Sequence, residues 1–351
     1  MKGVILVENS FVHPYMPNSV PENKKAMLDE LGINSVEDIY KSIIPDELLY
    51  KERLDIPEPI RSEYELKRHV MGILNRDITT EEYTSFLGAG CYKHQVPAIC
   101  DEINSRGEFL TAYCGDTYSD HGKMQAIFEY TSMMGELLDT DVVSYTTYDG
   151  GQAVASSLRM AVRAVREKGM AGKVILVPKT MNPEIYSQVV QYCRNVAEVR
   201  KIAYEPETGL MDLEELKEQL AKKNVAAVFF ENPTYLGNFE TRGEEIAKLA
   251  HDAGAYCVVQ TEVAALGIME SPVNQGADIV CGDIQPLGMH IQFGGGQAGF
   301  IACNQNMDLV EQFPTYMYGI TETEKEDTYG WGRAMNYRSS HGSRENANEY
   351  F

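Results

Sequence analysis

The residues best placed to do chemistry form a tight turn between a β-prone run, Tyr145–Tyr148, and a helix. Gly150 and Gly151 let the backbone turn sharply, and they leave its amide groups accessible because no Cβ stands in the way. The helix from Gln152 onward adds free N–H groups and the positive end of its dipole. Together with Asp149 and the end of the β-prone run at Tyr148, this pattern predicts a seat for an anion, usually phosphate. A strand-to-helix connection that merely needs glycine is the alternative.

Other potentially reactive side chains favour structural roles. His94 lies beside a lysine and a glutamine, where a lone histidine is more often a structural hydrogen-bonding group than a catalyst. The methionines of a helix predicted over 122–138 suit core packing better than a cofactor site. The seven cysteines include no C-x-x-C pair and lie mostly in apolar runs, which indicates reduced thiols in a cytoplasmic protein and not a disulfide or zinc framework.

Composition excludes two classes of partner. The chain has 351 residues, 44% of them hydrophobic and 24% charged, as in an ordinary globular protein of one large domain or two. Its net charge of −21 would repel nucleic acid and anionic membrane surfaces. The apolar run at Gly3–Val7 is too short for a signal peptide or a membrane span, so we expect a short strand there.

Residues 1–80 predict an N-terminal strand and a helical arm. One helix over 21–31 ends at Gly32, a second is predicted to start with Ser35 as its N-cap, and a third starts at Ser62. None of these segments carries enough apolar residues for a sizeable core. We therefore expect the arm to pack over another domain or another subunit.

Residues 81–310 alternate between short apolar strands and helices, which predicts an α/β domain of three layers with a mainly parallel sheet. The predicted strands are 109–113, 173–178, 199–203, 225–231, 255–260, 278–281 and 299–302, and the predicted helices after the glycine turn are 183–193, 212–223 and 240–253. In such sheets ligands bind beyond the carboxyl ends of the strands, where Asn232, Glu262 and Asp283–Gln285 would lie.

Several sequence clusters resemble the P-proteins of the glycine cleavage system, in particular subunit 1 of the two-subunit glycine dehydrogenase (decarboxylating). The clusters are SFLGAGCYKHQVPA (85–98), GEFLTAY (107–113), KMQAIFEYTSMMGELLDTDVV (123–143), YDGG (148–151), ENPTYLGNFE (231–240) and GADIVCGDIQPLGMHIQFGG (276–295). The resemblance covers most of the chain and implies a fold-type-I, aminotransferase-like pyridoxal-phosphate fold. It makes 81–310 the large domain and 311–351 the start of a C-terminal segment.

The same resemblance implies an enzyme that decarboxylates glycine with pyridoxal phosphate and passes the aminomethyl group to a lipoyl carrier protein. Such a cofactor is held on a lysine amine. In the catalytic subunit of the family that lysine follows a histidine, and the matching pair here is Gln285-Pro286, where proline cannot form an imine. No lysine occurs between Lys248 and Lys325. We therefore expect the cofactor on a homologous, lysine-bearing subunit 2 and not covalently on this chain.

Parts of a cofactor site would remain as vestigial or interface-forming elements. Tyr148–Gln152 would be the former phosphate cradle, and Gln285 would stand beside the position of the lost lysine. Glu262 occupies about the place of the acidic residue that pairs with the pyridine nitrogen, which is aspartate in relatives that bind the cofactor.

Three departures from the family leave alternatives open. The segment 114–122 lacks the family's PYQPEISQG-like sequence, and Gly296–Gly299 replaces a proline-tyrosine pair. The chain stops at Phe351, so we expect the family's C-terminal small domain to be largely missing. The alternatives are a paralogous subunit of a pyridoxal-phosphate enzyme acting on a different amino substrate, and a non-catalytic scaffold partner.

Overall fold

The structure, a computed structural model, describes residues 12–334 except 14, 51, 53, 85, 87–92, 110–120, 292–296 and 316. The chain divides into two compact units, Met1–Ile78 and Thr79–Phe351. This division does not test the predicted boundaries at 80 and 310, which stay predictions. None of the described helices is long and apolar enough to cross a membrane.

The first unit is helical in its described part. Its helices are α1 (Pro21–Leu31), α2 (Glu37–Lys41) and α3 (Glu63–Leu74), and none of them has a buried residue. Helix α1 ends where Gly32 adopts a left-handed conformation with φ of 67°. Helix α3 begins as predicted, with the Ser62 hydroxyl accepting a hydrogen bond from the Glu65 amide at 3.3 Å.

The second unit carries the α/β alternation. Its described helices are α4 (Ala98–Asn104), α5 (His121–Leu138), α6 (Gly150–Glu167), α7 (Pro183–Cys193), α8 (Leu213–Leu220), α9 (Gly243–Asp252) and α10 (Met307–Val310). Its described strands are β1 (Val142–Val143), β2 (Val174–Pro178), β3 (Glu198–Ile202), β4 (Val225–Asn232), β5 (Tyr256–Thr261), β6 (Ile279–Asp283), β7 (Gly299–Cys303), β8 (Met317–Glu322) and β9 (Tyr329–Ala334).

Strands β1 to β7 form one sheet in the order β1-β7-β6-β5-β4-β2-β3, and β8 and β9 form a separate hairpin. Neighbouring strands from β6 through β3 are parallel, whereas β7 is antiparallel to both β6 and β1. The predicted α/β class with a mainly parallel sheet is thereby confirmed. The carboxyl ends of β4, β5 and β6 meet at one edge, next to the N-terminus of α6.

The sheet is buried on both faces because its strands are apolar at successive positions. In β4, Phe229 packs into a cluster with α6 and α7, while Val228 and Phe230 pack into a second cluster with α8 and α9 on the opposite face. Helix α6 is the most buried helix of the unit and covers the centre of the sheet. Its N-terminus is therefore held firmly against the strand ends.

Two local predictions were wrong, and a third is largely untested. The Ser35 side chain does not cap α2; the helix begins later because Asp38 accepts hydrogen bonds from the amides of Asn34 and Ser35. The run Tyr145–Tyr148 is not a strand, since only Thr147 pairs, through an isolated bridge to β7. Phe109, the first residue of the strand predicted at 109–113, lies in a short 3-10 turn (Gly107–Phe109), and 110–113 lie outside the described residues. The strand predicted at 3–7 lies outside them too, as does most of the SFLGAG cluster.

Candidate functional site

A cavity of about 570 Å³ lies at the carboxyl ends of β4, β5 and β6, against the first turn of α6. This is the position at which open α/β sheets bind their ligands. Its polar lining residues are Asp149, Asn182, Glu184, Gln188, Glu231, Thr234, Tyr235, Gln260, Thr261, Glu262, Asp283 and Gln297. None of the described residues that line it is a lysine, arginine or histidine.

The first turn of α6 is capped by the chain itself. Asp149 is the N-cap, and its Oδ1 accepts a hydrogen bond of 2.6 Å from the Gln152 amide. The Gln152 side chain turns back and accepts a hydrogen bond of 2.7 Å from the Tyr148 amide. Two residues of the predicted phosphate seat are thus engaged in holding the turn.

A second carboxylate contact at this turn comes from the end of β6. Asp283 Oδ2 accepts a hydrogen bond of 2.9 Å from the Gly150 amide, and Oδ1 accepts one of 2.8 Å from the Gln285 amide. A further backbone hydrogen bond comes from Ala298. Burial and the negative charge of Asp149 raise the pKa of Asp283, against the lowering effect of these hydrogen bonds.

The two glycines are closely packed against other parts of the chain. A Cβ on Gly150 would lie 3.1 Å from the Cβ and 3.2 Å from the backbone nitrogen of Asp283. A Cβ on Gly151 would lie 2.6 Å from the Gln188 side-chain oxygen. The space beside the glycine turn is therefore filled by the protein's own side chains.

Two more carboxyl groups face the cavity, of which Glu231 is buried and Glu262 half-buried. Glu231 is only 5% exposed, its carboxylate accepts a hydrogen bond of 3.1 Å from the Asn182 amide, and burial raises its pKa to about 7. Glu262 accepts a hydrogen bond of 3.3 Å from the Ala264 amide. Burial raises the pKa of Glu262, the charge of Asp283 raises it further, and His94 lowers it. The cavity therefore holds five carboxyl groups when Asp149 and Glu184 are included.

The structure brings some of the predicted site residues together and separates others. Asp149, Gly150, Gly151 and Glu262 line the cavity. Tyr148 and Gln152 face a second, more open depression of about 430 Å³, which Asp149 also lines. Gln285 is 3% exposed and is not among the described residues that line either space.

Sequence reasoning missed Glu231, Asn182 and Gln188. It placed Asp283 at the ligand-binding edge of the sheet, but not among the cofactor-binding residues. The end of β4 was predicted to face ligands as well, and that signal could have led to Glu231. His94 has the structural role predicted for it, with its Nε2 2.7 Å from the Met289 carbonyl oxygen. Among the described residues no group of three histidine, cysteine or acidic side chains could hold a metal ion.

The described residues do not fit pyridoxal phosphate. That cofactor brings a phosphate dianion, which helix N-termini bind through free amides, and it is held on a lysine. Here the Gly150 and Gln152 amides already donate to carboxylates of the chain. The cavity lining adds further negative charge and offers no lysine.

Comparison with known proteins identifies relatives of the whole described region. Residues 13–350 match the family described as glycine cleavage system P-protein. The chain is 38% identical over 310 residues to the probable glycine dehydrogenase (decarboxylating) subunit 1 of Pyrococcus horikoshii, covering 88% of this chain and 67% of that protein. Identity to the proteins of the same name is 36% over 334 residues in Carboxydothermus hydrogenoformans and 35% over 322 residues in Staphylothermus marinus. These alignments cover 95% and 89% of this chain, and 72% and 66% of the relatives.

Comparison with solved structures points to the same family. The inhibitor-bound crystal structure of a glycine decarboxylase (P-protein) of the glycine cleavage system superposes with a TM-score of 0.77 at 31% identity, covering 95% of this chain and 72% of that one. A sphingosine-1-phosphate lyase from Burkholderia pseudomallei superposes with a TM-score of 0.54 at 13% identity, covering 87% and 72% of the two chains, which shows a shared fold only. The predicted fold-type-I architecture is confirmed.

Proposed function

Because the chain belongs to the glycine cleavage system P-protein family, we propose that it is subunit 1 of a glycine dehydrogenase (decarboxylating) that acts with a homologous, lysine-bearing subunit 2. In this assignment pyridoxal phosphate is held by the partner. The substrate is glycine, and the aminomethyl group passes to a lipoyl carrier protein. This chain is required for activity but carries no covalently bound cofactor.

The acidic cavity is the observation that carries the proposal. Five carboxyl groups line it, and no basic side chain appears among its described lining residues. The sequence has no lysine between Lys248 and Lys325, a range that includes β5, β6 and β7. The family's fold combined with an acidic cavity supports the proposal that the partner subunit binds the cofactor.

The first unit has an apolar surface of its own. Its large apolar side chains are widely exposed, among them Tyr15 at 88%, Leu48 at 75% and Ile43 at 71%. Exposed apolar surface of this extent favours packing against another domain or another subunit, because leaving it in water is unfavourable.

Isotope exchange between glycine and bicarbonate tests the proposal. We expect exchange in a mixture of this chain with the lysine-bearing homologue and none with either chain alone. A partner in which that lysine is replaced by alanine is the matched control and should give no exchange. A mixture that forms a stable complex, contains the cofactor and still shows no exchange with glycine would favour the paralogous subunit with a different amino substrate.

A further inference from the structure

Asp283 is bound in the way that a helix N-terminus binds a phosphate oxygen. Its carboxylate accepts hydrogen bonds from the amides of Gly150, on α6, and Gln285, with a further one from the backbone of Ala298. Charge-assisted hydrogen bonds from backbone amides are the stronger kind, and the α6 dipole adds to them at Gly150. Two amides of the first turn of α6, those of Gly150 and Gln152, therefore already donate to carboxylates of the chain.

The surrounding space is also taken. Asp283 Cβ packs against Gly150, and Gln188 packs against Gly151 while donating a hydrogen bond of 3.4 Å to Asp149 Oδ2. A phosphate could reach the Gly150 amide only by displacing the Asp283 carboxylate. The displaced carboxylate would then stay in the same buried pocket, beside Asp149 and Glu262, without its amide partners.

We infer that Asp283 is a built-in substitute for phosphate, which closes the α6 anion seat and excludes phosphate-bearing ligands from this cavity. The exclusion is local: it depends on the Asp283 carboxylate at the Gly150 amide, and not only on the general negative charge of the cavity. Restoring a lysine near Gln285 would not by itself create a cofactor site. Asp283 closes the seat whether or not the chain works with a lysine-bearing subunit.

Equilibrium dialysis of the full chain against labelled inorganic phosphate tests this inference, at constant ionic strength set with sodium chloride. The variant Asp283→Ser removes the charge and shortens the side chain, so the Gly150 amide becomes available. We expect no saturable binding by the wild-type chain and saturable binding by Asp283→Ser, with at least about tenfold more phosphate bound than by the wild type at the same free concentration. Glu262→Gln is the matched control, because it removes one cavity charge while leaving Asp283 in place, and it should behave as the wild type does.

Three results would overturn the inference: saturable phosphate binding by the wild-type chain, no gain of binding in a folded Asp283→Ser variant, or an equal gain in Glu262→Gln. Amide hydrogen exchange in the wild type gives an answer even where Asp283→Ser does not fold. The peptide that contains Gly150 should be protected without phosphate, and added phosphate should leave its exchange rate unchanged. A phosphate-dependent increase in protection there would contradict the role of Asp283.

Discussion

The burial of the Glu231 carboxyl group makes the stability of the fold depend on pH. Its pKa is raised from the ordinary value of 4.5 to about 7 in the native state. Between pH 4.5 and pH 7 the native state therefore holds a proton that the unfolded chain has lost. Stability from this group is fully present below about pH 4.5 and is lost as the pH rises through about 7. The shift corresponds to roughly 3 kcal/mol.

We therefore expect Glu231→Gln to raise the free energy of unfolding at pH 8 and to leave it nearly unchanged at pH 5. Denaturant unfolding at the two pH values measures this difference. Glu184→Gln is the control, because Glu184 also lines the cavity but is exposed, and it should show no such pH dependence. A Glu231→Gln variant that is less stable than the wild type at both pH values would show that the charged Glu231 carboxylate does not destabilise the folded state.

The N-cap residue Asp149 should contribute to stability through its side chain. Asp149→Ala removes the acceptor for the Gln152 amide and should lower the free energy of unfolding by about 1 kcal/mol. Asp149→Asn keeps an acceptor and should recover most of that loss. Chemical denaturation of the three proteins measures it, and equal stability of Asp149→Ala and the wild type would mean that the cap contributes nothing.

At this scale the sequence predicts local partners and misses distant ones. Asp149 and the glycines stand out because a turn and a helix start occur together within a few residues. Asp283 is 133 residues away from Gly150, and no local pattern indicates that its carboxylate reaches the α6 amide. The low exposure that raises the pKa of Glu231 likewise depends on packing between elements that the chain brings together only on folding.

Among the elements, β7 fixes the position of the glycine turn. Gly299 exchanges two backbone hydrogen bonds with Thr147, of 2.9 and 3.0 Å, immediately before Asp149. A Cβ on Gly299 would overlap the Asp149 carbonyl oxygen and the Thr147 hydroxyl. The turn and the N-terminus of α6 therefore depend on a glycine in another element.

Gly299→Ala should destabilise the chain by about 1–3 kcal/mol, because backbone atoms must move to admit the methyl group. Gly319→Ala is the matched control in strand β8, since a Cβ there meets no atom within 4 Å. Thermal unfolding of both variants measures the difference. If the two substitutions destabilised the chain equally, the close contact between β7 and the turn would not require glycine at position 299.

The parallel strands and their helices could be predicted because each buried strand is a short apolar run and each helix has its own cap or stop signal. Asp212 caps α8 as predicted, accepting hydrogen bonds from Glu214 and Glu215. The antiparallel direction of β7 and the hairpin of β8 and β9 were not predicted, because strand direction and pairing are set by tertiary contacts. The two-residue strand β1 is too short to give a sequence pattern.

For the whole molecule, the chain belongs to the glycine cleavage system P-protein family, and the acidic cavity supports our proposal that a partner subunit binds the cofactor. The division of labour between the subunits was inferred from the sequence, through the proline at 286 and the lack of lysines around it. The filled phosphate seat could not be inferred in that way, because it depends on where Asp283 and Gln188 lie in space.

Borohydride reduction of the assembled enzyme tests the central claim most directly. The complex of this chain with its lysine-bearing partner is loaded with pyridoxal phosphate and reduced, the subunits are separated, and each is analysed by mass spectrometry for a pyridoxyl-lysine. We expect the modification on a single lysine of the partner and none on this chain. A stoichiometric pyridoxyl group on this chain would contradict it.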